Sequence, residues 1–253
     1  MAVCDEQAGH RSTLRVLAIL DTLAKSERGL TMAEICRALD APKSSLFPIL
    51  HTMADTEYIS YSEETSRYSI GLRTYLLGKA FDRSNMSLPL IESEMRRVVE
   101  ACGETCQLGV LDHGRVLYVA KVDSPQRIRL SSDIGKTLPV HCTAIGKAIL
   151  SQLTDAEVLS TIATPLERPT THAVSTPEEL LDQLVEVRAT GFAHDHQEVL
   201  EGVECIAIPI RKGSRLCYGM SVSTPAYRLT EEKASLIENT LASARDRLER
   251  ALQ

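Results

Sequence analysis

Residues 31–53 read TMAEICRALDAPKSSLFPILHTM, a pattern of two short helices joined by a tight turn. Thr31 and Glu34 have the spacing of a capping box, in which each side chain bonds the backbone N–H of the other residue. Apolar residues recur at helical spacing on both sides of an interruption at residues 40–42. They are Ile35, Ala38 and Leu39 before it and Leu46, Ile49, Leu50 and Met53 after it. Two such helices predict either a helix-turn-helix or an ordinary helical hairpin with a solvated face.

The second predicted helix carries short polar side chains on the face opposite its apolar stripe. Such groups bond phosphates and base edges, as a recognition helix does in the major groove of DNA. The candidate DNA-binding residues of the two helices are Thr31, Lys43, Ser44, Ser45, His51 and Thr52. Pro48 falls inside the second helix, where it lacks a backbone N–H and clashes with the carbonyl of Ser44. We therefore expect a kink or a late start of the helix between Ser44 and Pro48.

Two short strand-like runs follow the helices, at residues 58–61 and 67–70, with a polar segment between them. An amphipathic helix is predicted upstream, over residues 13–25. Three helices followed by a two-stranded hairpin form a winged helix-turn-helix, and Arg67 near the hairpin tip is placed to meet a phosphate. Residues 1–83 hold ten Lys/Arg and eleven Asp/Glu, a net charge of −1. A DNA contact must therefore come from a local surface and not from a strongly basic domain.

The composition argues against several other classes of protein. Of the 253 residues 43% are hydrophobic and 25% are charged, as in an ordinary globular protein with room for two domains. No apolar run approaches the ~20 residues that span a bilayer, and residues 1–10 lack the apolar region of a signal peptide. We therefore expect a cytoplasmic protein without a membrane partner. The seven cysteines contain no CxxC pair, so buried reduced thiols are favoured over a disulfide framework or a zinc site.

Two helices are predicted after the hairpin, at residues 72–80 and 90–102, with a break between them. We expect these helices to link two domains. The apolar side chains of Leu76, Leu77 and Phe81 are candidates for a dimer contact. Beyond the second helix the pattern changes from helical to α/β.

The second half of the chain alternates predicted strands and helices. Strands are predicted at residues 105–111, 116–122, 128–130, 205–210 and 216–223. Helices are predicted at residues 144–152, 156–163, 177–190 and 231–252. Thr154 and Thr176 each begin a capping box with a glutamate three residues later, and Pro177 occupies the favoured first helical position. His113 and Gly114 supply a turn between the first two strands.

The last two predicted strands each have one bulky apolar face and one face of small or polar side chains, because side chains alternate across a strand. The bulky positions are Ile206, Ile208, Ile210, Leu216, Tyr218, Met220 and Val222, and the small positions are Cys205, Ala207, Pro209, Cys217, Gly219, Ser221 and Ser223. The bulky faces predict a core beneath helices. The small faces predict either a hollow for a small polar molecule or close packing of a second layer.

A second feature also indicates a small ligand. Thr143 is placed to cap a helix that begins at Ala144, and the free N–H groups at such an N-terminus favour an anion such as a carboxylate. Lys147 lies one turn further along the helix. Most helix N-termini bind only water, so this signal is weak by itself.

The chain resembles the isocitrate lyase regulator (IclR) family of bacterial transcription factors over residues 11–250. In the first half the resemblance rests on LTMAEI at residues 30–35, PKSS at 42–45 and YSIG at 68–71. In the second half it rests on TAIGKA at residues 143–148, GFAHD at 191–195, Glu198, EGVECIAIP at 201–209 and SVSTP at 221–225. The second set is the more specific, because winged helices are common. The family usually carries an arginine where Pro48 stands, so the DNA contact is expected to differ there.

The resemblance implies an α/β two-domain fold. An N-terminal winged helix-turn-helix is joined by a linker helix to a C-terminal GAF-like α/β effector-binding domain. The expected boundaries are a disordered leader over residues 1–10, the DNA-binding domain over 11–72, the linker over 73–88 and the GAF-like domain over 89–253. The resemblance also implies a regulator and not an enzyme, more often a repressor, that binds double-stranded DNA at a palindromic operator as a homodimer or homotetramer.

The effector implied by the resemblance is a small organic or aromatic acid, with no cofactor. The family's effector-binding positions fall on Leu138, Ala144, Ile145, Asp195, Cys205, Ser221 and Ser223. Ala144 and Ile145 would meet the effector's carboxylate at the helix N-terminus, and Ile145 is bulkier than the residue often found there. Asp195 is an awkward neighbour for an anion, so its expected role is to accept a bond from an effector hydroxyl or to hold its loop.

Two other functions can be drawn from the same residues. Cys142 beside His141, with Asp195, would make a Cys-His-Asp nucleophile system, although adjacent side chains on an extended segment point apart. His194 and His196 with a cysteine have the H-x-H spacing of a metal site on one strand face, without a fourth ligand that the sequence identifies. An enzyme and a metal-binding regulator therefore stand as the alternatives.

Overall fold

The computed structural model describes residues 10–84, 87–130, 133–212 and 216–252, so the predicted leader lies outside the described residues except for residue 10. The chain divides into two compact units, residues 1–86 and residues 87–253. The seven elements of the first unit are α1 Arg11–Ala24, β1 Leu30–Thr31, α2 Met32–Ala38, α3 Lys43–Asp55, β2 Ile59–Ser62, β3 Arg67–Ile70 and α4 Leu72–Ser84.

The first unit is a winged helix-turn-helix, as predicted. Strands β2 and β3 form the wing, and β1, which the sequence pattern did not reveal, adds two residues to the same antiparallel sheet. The apolar stripes of α2 and α3 meet in a core where Ile35, Leu46 and Leu50 are fully buried. The predicted capping box is present, because the Thr31 hydroxyl accepts from Glu34 N–H and the Glu34 carboxylate accepts from Thr31 N–H.

The prediction of a late start for α3 is wrong, because the helix begins at Lys43, five residues before Pro48. Pro42 stands at the N-cap, and its carbonyl accepts from Ser45 N–H at 3.0 Å and from Leu46 N–H at 3.3 Å. The first turn is therefore closed before Pro48 is reached. The side chain of Pro48 is exposed. Because proline has no backbone N–H, the carbonyl one turn earlier lacks its helical hydrogen bond. A kink at Pro48 stays a prediction.

The second unit is an α/β domain with one six-stranded sheet in the order β6-β5-β4-β9-β8-β7, in which every neighbouring pair is antiparallel. Its helices are α5 Ser87–Cys102, α6 Ala144–Leu150, α7 Asp155–Thr161, α8 Pro177–Thr190 and α9 Glu231–Ala251, with a 3-10 turn at Ala226–Arg228. Its strands are β4 Thr105–Asp112, β5 Arg115–Val122, β6 Thr137–Pro139, β7 Ala193–His196, β8 Val203–Lys212 and β9 Leu216–Pro225.

The two faces of this sheet pack against different helices. The bulky face, with Ile206, Ile208 and Met220 fully or almost fully buried, packs against α5 and α9. The small face, represented by Ala207, lies in a second apolar cluster with α6 and α8. The predicted alternation on these strands is confirmed, except that the side chains of Leu216 and Cys217 lie outside the described part.

Three local predictions need correction. Residues 128–130 are not a strand, and the edge strand beside β5 is instead β6, whose three residues pair with residues 115–117. The sequence pattern also missed the opposite edge strand, β7, which pairs with β8. At α8 the Thr176 hydroxyl caps Glu179 N–H, but the Glu179 carboxylate accepts from Ser175, at 2.8 Å from its N–H, so the reciprocal half of that capping box is absent.

The described cysteines form no disulfide: Cys36, Cys102, Cys106, Cys142 and Cys205 are all free thiols. Three of them are buried, as the composition predicted, and Cys36 and Cys205 are half-buried. On α4 the predicted dimer-contact residues Leu76 and Leu77 are 48% and 56% exposed, whereas the side chain of Phe81 lies outside the described residues.

Candidate DNA-reading helix and effector cavity

The outward face of α3 presents the predicted polar residues to solvent. Lys43, Ser44, His51 and Thr52 are exposed, and Ser45 is half-buried. The hydroxyls of Ser45 and Thr52 donate to the carbonyls one turn earlier, at 2.8 and 2.9 Å, and their oxygens keep lone pairs for an outside donor. His51 Nδ1 lies 3.3 Å from the carboxylate of Asp55, four residues further along the helix. All five residues thus lie on α3, four of them exposed and Ser45 half-buried.

Thr31 and Arg67 have partners inside the domain. The Arg67 guanidinium donates to the carbonyl of Gly29 at 2.8 Å and to the Glu34 carboxylate at 3.1 Å. Hydrogen bonds from Thr31, and then the charge of Arg67, hold the pKa of Glu34 below its ordinary value. Arg67 therefore ties the wing to the start of α2, while about a third of its side chain (36%) stays exposed.

Sequence reasoning missed one residue of this surface. Phe47 is 50% exposed on α3 and lies beside His51, with the two ring centroids 6.1 Å apart. The sequence pattern predicts DNA contacts only for polar side chains, and Phe47, an aromatic residue at the edge of the apolar stripe, belongs to neither predicted face. The exposure of Phe47 is what identifies it as a surface residue. That exposure depends on which elements pack against α3, and the sequence of one helix does not specify them.

A cavity of about 250 Å³ lies at one end of the small face of the second unit's sheet. Four of the seven predicted effector-binding residues line it: Leu138, Asp195, Cys205 and Ser223. The other lining residues, which the sequence pattern does not predict, are Gln107, Tyr118, Leu130, Lys136, Val199, Leu200 and Val203. The predicted hollow is therefore present, with an apolar wall and a polar wall.

The polar wall contains a chain of hydrogen bonds across three neighbouring strands. The Ser223 hydroxyl donates to the side-chain oxygen of Gln107 at 2.9 Å. Cys205 Sγ lies 3.2 Å from the same hydroxyl oxygen, within hydrogen-bond distance. Burial raises the pKa of the Cys205 thiol, so it stays protonated at neutral pH. These groups are fixed before any ligand arrives.

Asp195 lies at the edge of the cavity and holds the turn between β7 and β8. Its Oδ1 accepts from the backbone N–H of Glu198 at 2.7 Å, and Val199 and Leu200 of the same turn line the cavity. Asp195 is only 4% exposed, and this burial raises the pKa of its carboxyl group to about 7. The carboxyl group is therefore largely protonated just below neutral pH, which removes part of the conflict with an anionic ligand.

The remaining three predicted residues, Ala144, Ile145 and Ser221, are buried and are not part of the cavity lining. These residues do not line the cavity because α6, which carries Ile145, packs tightly on this part of the small face. A Cβ added to Gly219 would lie 2.7 Å from Ile145 Cγ2 and 2.9 Å from its carbonyl oxygen. The small face therefore has both of the predicted features. A second layer, α6, packs closely on one end, and the cavity occupies the other.

This close approach predicts a large effect for a small change. Gly219→Ala is expected to destabilise the second unit by about 1–3 kcal/mol, because α6 must shift away from the sheet. Thermal unfolding followed by circular dichroism measures it. The matched control is Gly78→Ala on α4, where an added Cβ meets nothing within 4 Å. An unchanged midpoint for Gly219→Ala would contradict the close packing of α6 against Gly219.

Lys147 does not serve the anion role that its position on α6 suggested. The side chain is 2% exposed, and its ammonium group donates to the Glu198 carboxylate and, at 3.1 Å, to the carbonyl of His194. Glu198 is equally buried, at 3%. This ion pair joins α6 to the turn between β7 and β8. Lys147 therefore stabilises the turn that forms part of the cavity wall. Thr143 caps α6 as predicted.

The structure does not assemble the nucleophile system of the first alternative. The Cys142 thiol faces the carbonyl of Pro139 at 3.8 Å, and His141 Nε2 lies 2.7 Å from the carbonyl of Glu167, so the two side chains have separate partners. Burial raises the pKa of Cys142 to about 12, which leaves almost no thiolate at neutral pH.

The second alternative, a metal site at His194 and His196, also lacks a complete donor set. The two rings stack with centroids 5.4 Å apart, and each lies near a different carboxylate, Glu238 at 3.9 Å and Glu204 at 3.3 Å. Within the described part of the chain, no three His, Cys, Asp or Glu side chains are grouped to hold a metal ion.

Comparison with known proteins identifies relatives over most of the chain. Residues 12–63 match the family model described as "IclR helix-turn-helix domain", and residues 87–247 match "Bacterial transcriptional regulator IclR C-terminal". The HTH-type transcriptional regulator KdgR of Dickeya chrysanthemi is 35% identical over 228 residues, which are 87% of this chain and 73% of that protein.

Two solved structures share the architecture. The IclR transcriptional regulator from Alicyclobacillus acidocaldarius superposes with a TM-score of 0.88 at 22% identity, covering 97% of this chain and 100% of that one. An IclR homologue from Microbacterium hydrocarbonoxydans, complexed with 4-hydroxybenzoate, has a TM-score of 0.81 at 23% identity, covering 95% and 99%.

A winged helix-turn-helix followed by an α/β domain of this topology defines a two-domain transcriptional regulator. The chain belongs to the IclR family of bacterial transcriptional regulators. The relatives are named as regulators, in agreement with the prediction that the chain is not an enzyme. None of its helices, over the residues described, is long and apolar enough to cross a membrane.

Proposed function

We propose that this regulator is a repressor whose affinity for DNA is controlled by a small organic or aromatic acid bound in the cavity of its α/β domain. The observation that carries the proposal is the cavity itself, lined by four of the seven nominated residues. At about 250 Å³ it lies just below the ~300 Å³ lower end of ordinary ligand pockets, which favours a small acid over a larger molecule.

The lining suggests how such an acid would be oriented. Lys136 is the one cationic side chain among the described lining residues, so we expect it to pair with the carboxylate. Gln107, Cys205 and Ser223 on the polar wall would bond a hydroxyl or carbonyl group, and the apolar wall would cover the carbon skeleton. The Microbacterium homologue's complex with 4-hydroxybenzoate makes phenolic acids a suitable first class to test.

We propose that α3 binds the major groove of a palindromic operator, with homodimers or homotetramers matching its symmetry. The direct contacts would come from Lys43, Ser44, Ser45, His51 and Thr52. Thr31 and Arg67 would position α2 and the wing through Glu34, and the exposed part of Arg67 would meet a phosphate. Leu76 and Leu77 would take part in the contact between copies.

The carboxylate pairing is tested by removing the cation of the cavity. Lys136→Gln is expected to weaken binding of a carboxylate effector about tenfold, as loss of one partly solvated ion pair should. Lys136→Arg should retain the affinity, and so should Lys25→Gln, an exposed lysine of the first unit. A panel of small carboxylates is screened by thermal shift, and the binders are titrated calorimetrically against all four proteins. Equal affinity for the wild type and Lys136→Gln would refute this role.

The regulatory proposal is tested by a mobility shift with DNA from upstream of the gene, repeated with each acid that binds. The expected result is a salt-sensitive, sequence-specific complex that a binding acid weakens. A complex that a binding acid strengthens would refute repression relieved by effector. The absence of any specific complex would refute the operator as proposed.

A further inference from the structure

Phe47 is a large apolar residue of α3 that is not part of the core of the winged helix-turn-helix. Its sequence neighbour Leu46 and the residue one turn later, Leu50, are both fully buried in the core of the winged helix-turn-helix. Phe47 points to the side of that core and leaves half of its surface in water, at 50% exposure. Half of the side chain therefore stays uncovered by the described residues, and large exposed aromatic groups are typical of contact surfaces.

The outward stripe of α3 has an apolar centre. Ser44, Phe47, Pro48 and His51 follow the i, i+3, i+4, i+7 spacing of one helix face, and all four are exposed. Neither Phe47 nor Pro48 has a side chain that can donate or accept a hydrogen bond, and Pro48 also lacks a backbone N–H. Phe47 and Pro48 themselves therefore offer no side-chain hydrogen bond to a base pair opposite them.

The major groove offers one apolar group that such a surface can recognise, the 5-methyl group of thymine. We propose that Phe47 contacts thymine methyl groups and makes the middle of each operator half-site selective for A·T pairs. The polar residues Lys43, Ser44 and Thr52 around it would supply the phosphate and base-edge contacts that hold the helix in the groove. The inference rests on the proposed binding of α3 in the major groove.

The test removes the methyl group without changing the base pairing. Thymines of the operator, first located by footprinting on the upstream DNA, are replaced one at a time by 2′-deoxyuridine. Binding is measured by fluorescence anisotropy for the full-length wild type, Phe47→Ala and Phe47→Leu. Loss of one buried methyl contact should weaken wild-type binding about fourfold at one or two positions in each half-site.

The variants show whether Phe47 is the partner of those methyl groups. Phe47→Ala should bind the unmodified operator about tenfold more weakly and should lose its sensitivity to deoxyuridine at the same positions. Phe47→Leu should recover part of both. Circular dichroism shows whether each variant is folded, which is expected because the side chain is half-exposed.

Several outcomes would overturn the proposal, and they are distinguishable. Wild-type binding that no deoxyuridine changes, or Phe47→Ala with the same sensitivity pattern as the wild type, would exclude methyl recognition while leaving operator binding intact. A change of oligomeric state in Phe47→Ala by light scattering, without altered sensitivity, would assign Phe47 to a contact between copies. A wild type that binds no operator would refute the proposed function, and this inference with it.

Discussion

Lys147→Met is expected to destabilise the α/β domain by about 3–5 kcal/mol, the usual cost of removing one partner of a buried ion pair. Lys147 and Glu198 are 2% and 3% exposed, so neither charge is solvated when the other is removed. The second carboxylate oxygen of Glu198 has no hydrogen-bond partner among the described residues, so Lys147 is its main compensation. For a domain of this size the unfolding midpoint should fall by roughly 10 °C.

The double variant Lys147→Met, Glu198→Met distinguishes the stability lost through an unpaired buried charge from the stability lost through altered side-chain packing. Removing both charges should restore at least half of the lost stability, because the remaining cost is that of imperfect apolar packing. The control Lys25→Met changes an exposed lysine and should stay within about 0.5 kcal/mol of the wild type. The chain has no tryptophan, so unfolding is followed by circular dichroism. A Lys147→Met protein as stable as the control would show that the pair is solvated.

Elements with local signals at both ends were predictable from the sequence. Helix α8 begins and ends where the pattern placed it, because Thr176 caps it, Pro177 fits its first turn and Gly191 ends it with a φ of 80°. The alternation on β8 and β9 likewise predicted the face that packs against α5 and α9, whereas the opposite, small face borders both α6 and the cavity. In these segments each residue's conformational preference agrees with its tertiary surroundings.

Features that depend on partners distant in the sequence were not predictable. The short edge strands β6 and β7 exist because β5 and β8 pair with them, and their few residues carry no clear periodicity. Lys147 and Glu198 are 51 positions apart, and an isolated lysine on a helix normally indicates solvent. The exposure of Phe47 likewise follows from what α3 packs against, which a single helix pattern does not specify.

Asp195 is expected to make the stability of the α/β domain depend on pH between about 4 and 7. Its pKa is raised by burial to about 7 in the folded protein, from an ordinary value of 3.8. Over this range the unfolded chain has released the proton that the folded chain keeps, so every increase in pH favours unfolding. The loss of stability begins near pH 4 and is complete above pH 7, where it is on the order of 4 kcal/mol.

Asp195→Asn isolates this effect, because asparagine does not ionise. Its side-chain oxygen can still accept the 2.7 Å hydrogen bond from Glu198 N–H. The variant should be more stable than the wild type at pH 8, and the difference should disappear by pH 4. Denaturant unfolding at a series of pH values measures it, with the exposed Asp182→Asn as the control. A constant difference between wild type and Asp195→Asn across this range would mean that Asp195 ionises alike in the folded and unfolded chain. The cavity would then present a full negative charge to its ligand at neutral pH, and a carboxylate effector would have to bind away from Asp195, beside Lys136.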